Sequence, residues 1–344
     1  MRVDHACFGD RHARDVVDVR HGEAAVAALD RTGFWAVVVT FEGAVTAVRF
    51  ADLRPGPSPD RAAPRWTAVG STWSSSLGHT AYVSGVEEVR RRIAAGEVYQ
   101  VNLCRVLTAP LLPDADLDAL HALVRRGNPA PYAARIRCDE AGLDVVSASP
   151  ELFLAVEEGR LVTRPIKGTA ATAEAMLPKD RAENVMIVDL VRNDLSAVCE
   201  PGTVSVDELC AQESHPGLVH LVSTVGGRLR AGMSWRDILA ATTPAGSVSG
   251  APKSSALRAI RDLEPVPRGP YCGAVGWVDA DRQEARLAVG IRTFWAERAA
   301  DGRRVLRLGT GAGITWHSDP EGEWAETQLK AARLVGLASG RVVP

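Results

Sequence analysis

A single lysine stands at a corner of the chain where its neighbours restrict the backbone. Lys167 lies in the stretch RPIKGT, residues 164–169. Pro165 fixes φ and removes a hydrogen-bond donor, and Gly168 permits a bend that other residues resist. A solvated lysine is only a positive charge, whereas a lysine that is desolvated or close to another cation can lose its proton and become a nucleophile. The local pattern therefore fits either a surface charge or a nucleophile presented at a corner.

Several acidic residues occupy positions where carboxylates could do chemistry. Glu151 lies between a small polar turn and an apolar strand, where burial would raise its pKa and make it a proton donor. Asp180 and Glu183 are three residues apart on a predicted helix, and Glu323 and Glu326 repeat this spacing near the C-terminus. Each pair alone also suits a solvated helix face. Two pairs facing one pocket would form an oxygen-ligand site for Mg²⁺.

Other polar side chains could bind or orient a ligand. Gln100, Asn102 and Cys104 share one face of a predicted strand, which suits either a polar pocket or contact with solvent. His220 could orient or protonate a ligand, or could be a structural histidine. Arg292 is a cation amid apolar strand residues and requires an anion from the protein or from a substrate.

Two stretches of small residues could approach a ligand through the backbone. The first is TTPAGSVSGAPK (242–253), which precedes a predicted helix, and the N–H groups at a helix start suit a carboxylate or phosphate. Its spacing does not match a Walker A motif. The second is GTGAGI (309–314), which lacks the βαβ context of a dinucleotide site.

The elements that must position these residues are strands interspersed with helices. Residues 34–41 and 44–50 form a predicted hairpin around a Glu-Gly turn. The other predicted strands are 98–107, 131–137, 143–149, 150–156, 162–164, 221–225, 271–278, 284–295 and 305–308. The predicted helices are 84–95, 117–126, 180–194, 321–337 and one that begins near 254.

A connector rich in Pro, Gly, Ser and Ala runs from about 54 to 76. We therefore divide the chain into an N-terminal strand region with a linker, residues 1–75, and a main body, residues 76–344, which carries the candidate catalytic residues. We expect the two to form one integrated domain.

Composition narrows the class of protein. The 344 residues are 46% hydrophobic and 24% charged with a net charge of −2, which is ordinary for a globular protein. Because Lys and Arg form no basic block, neither nucleic acid nor an anionic membrane is an expected partner. The N-terminus lacks an apolar signal region and no run reaches the roughly 18 apolar residues of a membrane span, so we expect a cytoplasmic protein. Six cysteines without Cys-x-x-Cys spacing predict reduced core thiols.

Ten stretches, in this order, resemble the chorismate-utilising enzymes, and most closely the branch that contains aminodeoxychorismate synthase component I. The resemblance runs from about Gly96 to Lys330, roughly two thirds of the chain. They are GEVYQVNL (96–103), SPELF (149–153), RPIKGT (164–169), ENVMIVDLVRNDL (183–195), HLVSTV (220–225), PAGSVSGAPK (244–253), RGPYCGAVG (268–276), IRT (291–293), GAGI (311–314) and SDPEGEWAET (318–327).

The resemblance implies an α+β fold in which two large antiparallel β-sheets pack face to face with helices outside. It also implies a site for Mg²⁺ and chorismate between the sheets. Glu183 and Glu326 match the metal ligands, with Asp180 and Glu323 beside them. The implied catalytic residues are Lys167, Glu151 and His220. The implied substrate-binding residues are Gln100, Gly168, Thr169, Thr243, Tyr271, Arg292, Gly311, Ala312, Gly313 and Lys330.

Two positions distinguish the reactions within this family. The position of Gln100 is a lysine in isochorismate and salicylate synthases, where it activates water, and an amide cannot take a proton at neutral pH. The position of Lys167 is alanine in most anthranilate synthases. In the aminodeoxychorismate branch it is a lysine that attacks C2, while an acid at the position of Glu151 protonates the departing C4 hydroxyl. The resemblance thus implies a Mg²⁺-dependent conversion of chorismate and ammonia to 4-amino-4-deoxychorismate through a covalent lysine adduct.

The same resemblance implies partners. Ammonia would come from a separate glutamine amidotransferase subunit, since the chain shows no such segment, and a separate aminodeoxychorismate lyase would form p-aminobenzoate for folate or a specialised pathway. The N-terminal region is shorter than in fuller members of the family, so tryptophan binding is not expected. The alternatives are an anthranilate synthase-type enzyme and, in another class, a non-catalytic chorismate-binding protein.

Overall fold

The computed structural model describes residues 3–56, 65–170, 172–176, 178–215 and 218–341. Over this part of the chain, strands dominate and helices lie between them. The strands are β1 (His5–Phe8), β2 (Arg11–His21), β3 (Phe34–Val39), β4 (Val45–Pro55), β5 (Ser74–Ser75), β6 (Gln100–Pro110), β7 (Tyr132–Cys138), β8 (Leu143–Ser149), β9 (Leu152–Glu157), β10 (Arg160–Arg164), β11 (Ile166–Ala170), β12 (Ser205–His215), β13 (Leu218–Arg228), β14 (Gly250–Ala251), β15 (Ala274–Asp279), β16 (Glu284–Val289), β17 (Thr293–Arg298) and β18 (Arg304–Ile314).

Seven α-helices occur in the described ranges. They are α1 (Gly22–Ala28), α2 (His79–Ala94), α3 (Leu117–Gly127), α4 (Pro178–Ser196), α5 (Trp235–Thr242), α6 (Lys253–Leu263) and α7 (Pro320–Ala338). The start of α7 is encoded locally, because the side chain of Asp319 accepts a hydrogen bond from the N–H of Gly322 and Pro320 occupies the first turn.

The strands form two halves that a tight hairpin joins. One half has the order β6-β18-β17-β8-β7-β1, with β5 and β14 also paired to β6. The other has the order β2-β4-β3-β15-β16-β9-β10-β13-β12, with β11 also paired to β13. All of these pairs are antiparallel, and the β1–β2 hairpin makes the hydrogen-bonded network continuous.

The main hydrophobic core contains buried side chains from both halves, such as Leu103 of β6, Ile136 of β7, Val37 of β3 and Leu287 of β16. A second core lies where α3 and α7 cover β8, β17 and β18. Burial of these apolar surfaces is the main stabilising contribution to such a fold. The predicted α+β class with antiparallel sheets and flanking helices is confirmed.

The predicted hairpin at residues 34–50 is confirmed as β3 and β4, which pair from Phe34↔Phe50 to Val39↔Val45. The prediction of a single strand over 284–295 is wrong. The chain leaves β16 after Val289 and enters β17 only at Thr293, and β16 pairs with β15 and β9 whereas β17 pairs with β18 and β8. Between them Arg292 adopts the left-handed conformation at φ +50°, which a continuous strand does not allow.

The prediction that the strand beginning at Val305 ends at Leu308 is also wrong. β18 continues through the glycines to Ile314 and pairs with β6 along this whole length. Cross-strand hydrogen bonds thus hold the backbone of GTGAGI in an extended form, although glycine is intrinsically poor in strands.

Three further expectations can be placed on the structure. All six cysteines are buried and free of disulfides. Over the described part of the chain, none of the helices has both the length and the apolar character needed to cross a bilayer. The division at residue 75 stays a prediction; residues 57–64 of the connector lie outside the described ranges, and β3 of the N-terminal region pairs directly with β15.

Candidate active site

Lys167 lies in a bulge of β11. The pairing of β11 with β13 shifts register between Ile166 and Thr169, and Gly168 has φ +89°. A bulge interrupts the alternation of side chains along a strand and redirects them. The α-carbon of Gly168 also lies close to α4, since a Cβ placed on it would be 2.8 Å from Cβ of Asp180. Only glycine therefore combines this backbone conformation with this approach of the helix.

Charged groups from several elements act on the Lys167 amine. Burial lowers the pKa of Lys167, and the positive charge of Lys330 acts in the same direction. The carboxylates of Glu183, Glu151 and Glu326 oppose this shift, but burial prevails. A lysine with a lowered pKa has a larger neutral, nucleophilic fraction at neutral pH.

Glu151 is a buried acid next to this lysine. It stands between β8 and β9 and is 4% exposed. The hydroxyl of Ser247 donates a hydrogen bond of 2.6 Å to Oε1 of Glu151, and the backbone N–H of Ile166 also donates to the carboxyl group. Burial raises the pKa of Glu151 to about 7, against the smaller lowering effects of Ser247, Lys167 and Ile166. The carboxyl group is therefore poised to give and take a proton near neutral pH.

Gln100, Gly313 and Lys167 converge at one point. A methyl group on Gly313 would lie 2.4 Å from Nε2 of Gln100 and 3.6 Å from Nζ of Lys167. Gln100 is 2% exposed, and its Oε1 has no hydrogen-bond partner among the described residues. The polar face of this strand is thus buried, and the alternative of a solvent-facing side is wrong. An unpartnered buried acceptor costs free energy unless a ligand or water satisfies it.

Of the four predicted metal ligands, Asp180 and Glu183 lie on α4, and Glu323 and Glu326 lie on α7. The carboxylates of Glu183 and Glu326 both act electrostatically on Lys167. Nζ of Lys330 lies 2.6 Å from Oε1 of Glu326 and 3.2 Å from the carbonyl oxygen of Gly311. Ser318 donates a hydrogen bond of 2.5 Å to Oε1 of Glu323.

Carboxylates from two helices match the donors of Mg²⁺, which takes one or two carboxylates directly and completes its shell with water. Among the described residues, no three His, Cys, Asp or Glu side chains are already arranged as a metal cluster. The donor chemistry of these carboxylates suits Mg²⁺, and their role as its ligands stays a prediction.

Arg292 is a half-buried cation without an ion-pair partner among the described residues. Burial lowers the pKa of Arg292, and the positive charge of Arg333 lowers it further. Partial burial of a guanidinium without an anionic partner costs free energy. This environment suits a substrate carboxylate opposite Arg292.

Other predicted site residues lie near this centre or apart from it. The ring of Tyr271 lies directly against Gly309, where an added Cβ would be 2.0 Å from Cγ of the ring, and its hydroxyl is 3.9 Å from Sγ of Cys104. Thr243 lines a separate cleft of about 870 Å³ together with Phe41, and its Oγ1 is buried without a hydrogen-bond partner in the described structure.

His220 and Ala312 are both buried within paired strands. His220 lies opposite Thr169 in the pairing of β13 with β11, and the side chain of Thr169 is outside the described part. Ala312 lies opposite Leu103 of β6. The catalytic and binding roles of all these residues remain predictions.

Sequence reasoning missed two contributors. The sequence of the stretch around Ser247 indicates only backbone contacts with a ligand, and no local signal links Ser247 to Glu151, which is 96 residues away. Arg268 and Glu264 form a buried ion pair with N–O distances of 2.6 and 2.8 Å. Their spacing of four residues could have indicated the pair, but not its burial.

The ion pair of Arg268 and Glu264 connects two parts of the site. Arg268 donates to the carbonyl oxygens of Asn102 and Val248, at 2.7 and 2.9 Å, and Glu264 accepts from the N–H of Cys104 at 2.9 Å. It thereby joins the strand that carries Gln100 to the loop that carries Ser247. We expect it to fix the distance between these two parts of the site.

Comparison with known proteins identifies relatives for most of the chain. The chain is 38% identical to aminodeoxychorismate synthase component 1 of Klebsiella aerogenes over 278 residues, which are 77% of this chain and 59% of that protein. It is 39% identical to anthranilate synthase component 1 of Saccharolobus solfataricus over 276 residues, 77% of this chain and 63% of that protein. The matched region thus spans about three fifths of the length of these curated relatives.

Solved structures of similar fold are also chorismate-related enzymes by their names. Anthranilate synthase component I from Streptococcus pneumoniae superposes with a TM-score of 0.76 at 22% identity, covering 97% of this chain and 91% of that one. At this identity the likeness establishes the fold alone. The family model of chorismate binding enzymes matches residues 38–336. The chain therefore belongs to the chorismate-binding enzyme family.

Proposed function

We propose that this chain converts chorismate and ammonia to 4-amino-4-deoxychorismate. The observation that carries the proposal is the pairing of Lys167 and Glu151, two buried groups whose pKa values are shifted toward neutrality in opposite directions. Such a pair provides a nucleophile and an acid at the same pH. The relatives that are named as aminodeoxychorismate synthases support the same reaction.

In the proposed mechanism, neutral Nζ of Lys167 attacks C2 of the ring and the ring double bonds shift. Glu151 gives its proton to the C4 hydroxyl, which leaves as water. Ammonia then adds at C4, the double bonds shift back, and the bond between C2 and Nζ breaks. The proton lost by the added ammonia returns to Glu151, so that the sum is chorismate plus ammonia to aminodeoxychorismate plus water.

The other residues would bind and orient the substrate. Arg292 would hold one carboxylate, and the amide of Gln100 would hydrogen-bond the substrate without activating water, because an amide is not a base at neutral pH. Glu183 and Glu326 would hold Mg²⁺, with Asp180 and Glu323 beside them. When bound, the ion would supply positive charge that anchors a second substrate carboxylate.

Chromatography of the products from chorismate, an ammonium salt and Mg²⁺ tests the reaction. We expect aminodeoxychorismate, and anthranilate, isochorismate or salicylate as the dominant product would overturn the assignment. Formation of anthranilate is the second candidate, because a named anthranilate synthase has the same level of identity. A protein that binds chorismate without turnover would support the non-catalytic alternative.

Replacement of the lysine tests the covalent step. Intact-mass spectrometry with chorismate in the absence of ammonia should show a protein heavier by chorismate minus water. Lys167→Ala should lose this adduct and should lose aminodeoxychorismate formation or divert toward anthranilate. Unchanged products from Lys167→Ala would remove the lysine from the mechanism.

We further propose that a separate glutamine amidotransferase supplies the ammonia, since the names of the relatives describe them as component 1 of a synthase. A separate lyase would then act on the product. Copurification with a candidate amidotransferase, together with glutamine-dependent turnover, tests the first point. The proposal would be contradicted if the chain used ammonium salts but gave no turnover with glutamine in the presence of the candidate amidotransferase.

A further inference from the structure

The buried carboxyl group of Glu151 is held by a hydroxyl from a different element. Ser247 and Glu151 are 7% and 4% exposed, and their hydrogen bond is 2.6 Å long. We propose that Ser247 is a positioning residue for Glu151: it occupies Oε1, so that Oε2 carries the proton that goes to the leaving hydroxyl. This inference rests on the proposed function of Glu151 as the acid.

The chemistry of the two groups supports this arrangement. A serine hydroxyl has one proton to donate, and Ser247 directs it at Oε1. When Oε1 accepts this bond, the proton of the neutral carboxyl group resides on Oε2. Without the hydroxyl, the carboxyl group could turn or could carry its proton on either oxygen. Once the carboxyl group has given up its proton, the bond from the hydroxyl is charge-assisted and is stronger than one between neutral groups.

The loop that carries Ser247 is itself fixed. Ser247 is the central residue of a single 3₁₀ turn, Gly246–Val248. The carbonyl oxygen of Val248 accepts hydrogen bonds from Nδ2 of Asn102 at 3.2 Å and from Nη1 of Arg268 at 2.9 Å. The hydroxyl is therefore placed by the same buried ion pair that fixes the strand of Gln100, as positioning of a catalytic group requires.

Few charges face Glu151. Lys167 of β11 is the ionisable group that acts on it directly. A small cavity with room for about one water molecule is lined by Glu151, Ser247 and Asp194 of α4. Asp194 is paired with Nζ of Lys253 at 2.7 Å, so its charge is compensated. Burial, the hydroxyl of Ser247, the charge of Lys167 and the N–H of Ile166 thus determine when Glu151 releases its proton.

The kinetic test compares two serines of the same loop. Ser249 is buried and donates to the carbonyl oxygen of Ala245 at 2.9 Å, so Ser249→Ala is a matched control. We expect Ser247→Ala to lower kcat about tenfold or more with little change in KM. The high-pH limit of kcat should move upward, because the donor that favours the carboxylate is gone. Ser247→Thr should restore kcat. Ser249→Ala should change neither kcat nor its high-pH limit.

A second measurement does not depend on turnover. The carboxyl band of Glu151 can be followed by infrared spectroscopy against pH and assigned by its loss in Glu151→Gln. We expect the midpoint to rise by about one pH unit in Ser247→Ala and to stay constant in Ser249→Ala. If the chain made no aminodeoxychorismate, the proposed function would be contradicted. The infrared titration would still report whether Ser247 acts on Glu151.

Two results would overturn the positioning role. One is an unchanged midpoint in Ser247→Ala; the other is an equal loss of kcat in both alanine variants. Should Ser247→Ala fail to fold, Ser247→Cys provides a weaker donor at the same place. Its midpoint should lie above that of the wild type, and a wild-type midpoint there would refute the proposal.

Discussion

At the scale of single residues, the site depends on shifting two pKa values toward each other. Burial acts in opposite directions on an acid and on an amine, so one desolvated pocket produces both a neutral Glu151 and a less basic Lys167. Their mutual attraction limits both shifts. Glu151 therefore retains the capacity to give and take a proton around pH 7, while the amine of Lys167 loses its proton more readily than a solvated lysine does.

The raised pKa of Glu151 has a consequence for stability. Because the folded state binds the proton of Glu151 more tightly than the unfolded state does, the contribution of Glu151 to the free energy of unfolding falls as pH rises from about 4.5 to about 7. Glu151→Gln lacks this effect and should be more stable than the wild type by about 3 kcal/mol at pH 8, with little difference at pH 4.5. Urea denaturation at both pH values measures it. The exposed Glu140→Gln is the control, and a difference independent of pH would contradict the prediction.

At the scale of elements, α4 and α7, which carry the acidic pairs, pack closely against the strands of the site. α4 approaches the bulge at Gly168, and its residue Asn184 donates to the carbonyl oxygen of Leu221 at 3.0 Å and accepts from Ser223 of β13 at 2.5 Å. α7 is tied to β18 by the contact of Lys330 with Gly311. Both helices are thus held against the strands that carry the site.

Gly168→Ala tests the contact between the bulge and α4. The new methyl group would lie 2.8 Å from Cβ of Asp180, in addition to the strain at positive φ. Gly159 has φ +72° with nothing within 4 Å, so Gly159→Ala isolates the strain. We expect Gly159→Ala to cost about 1 kcal/mol and Gly168→Ala roughly 1–3 kcal/mol more, with a loss of activity. Equal costs for the two variants in chemical denaturation would contradict the close approach.

The acidic helices lead to a prediction on metal binding. Glu183→Gln and Glu326→Gln should each weaken Mg²⁺ affinity at least about tenfold. Titration calorimetry of the protein with MgCl₂ measures it. Glu321, at the exposed start of α7, is bonded to His79 at 2.8 Å and serves as the control in Glu321→Gln. If all three variants bind Mg²⁺ as the wild type does, these helices do not hold the ion.

At the scale of the whole molecule, buried polar links connect distant parts of the chain. The pair of Arg268 and Glu264 has side-chain exposures of 1% and 6%, and joins β6, α6 and the loop of Ser247. A buried ion pair adds little over apolar packing, but removal of one partner leaves an uncompensated charge. Such a link therefore specifies one arrangement of the site more than it stabilises the fold.

Glu264→Gln tests this link. We expect a loss of about 3–5 kcal/mol in the free energy of unfolding. Glu157→Gln breaks an exposed pair with Arg286, whose side chains are 60% and 49% exposed, and should cost about 0–1 kcal/mol. Urea denaturation of the two variants provides the comparison. Losses of similar size would show that the Arg268 pair is not desolvated as described.

The sequence alone determined the family, the α+β class, the hairpin of β3 and β4 and the helices that carry the acidic pairs. These depend on side-chain periodicity, turn residues and ordered motifs, which are properties of short segments. Lys167 and Glu151 could be selected for the same reason, since each stands in a distinctive local pattern. Their proximity entered as an implication of the resemblance.

Only the tertiary structure decided how these residues meet. The break between β16 and β17, the hydrogen bond from Ser247 to Glu151, and the convergence of Gln100 and Lys167 on Gly313 depend on strand pairing between distant segments. The pKa shifts of Glu151 and Lys167 also depend on the tertiary structure. The desolvation that causes them exists only when the folded chain surrounds the two side chains.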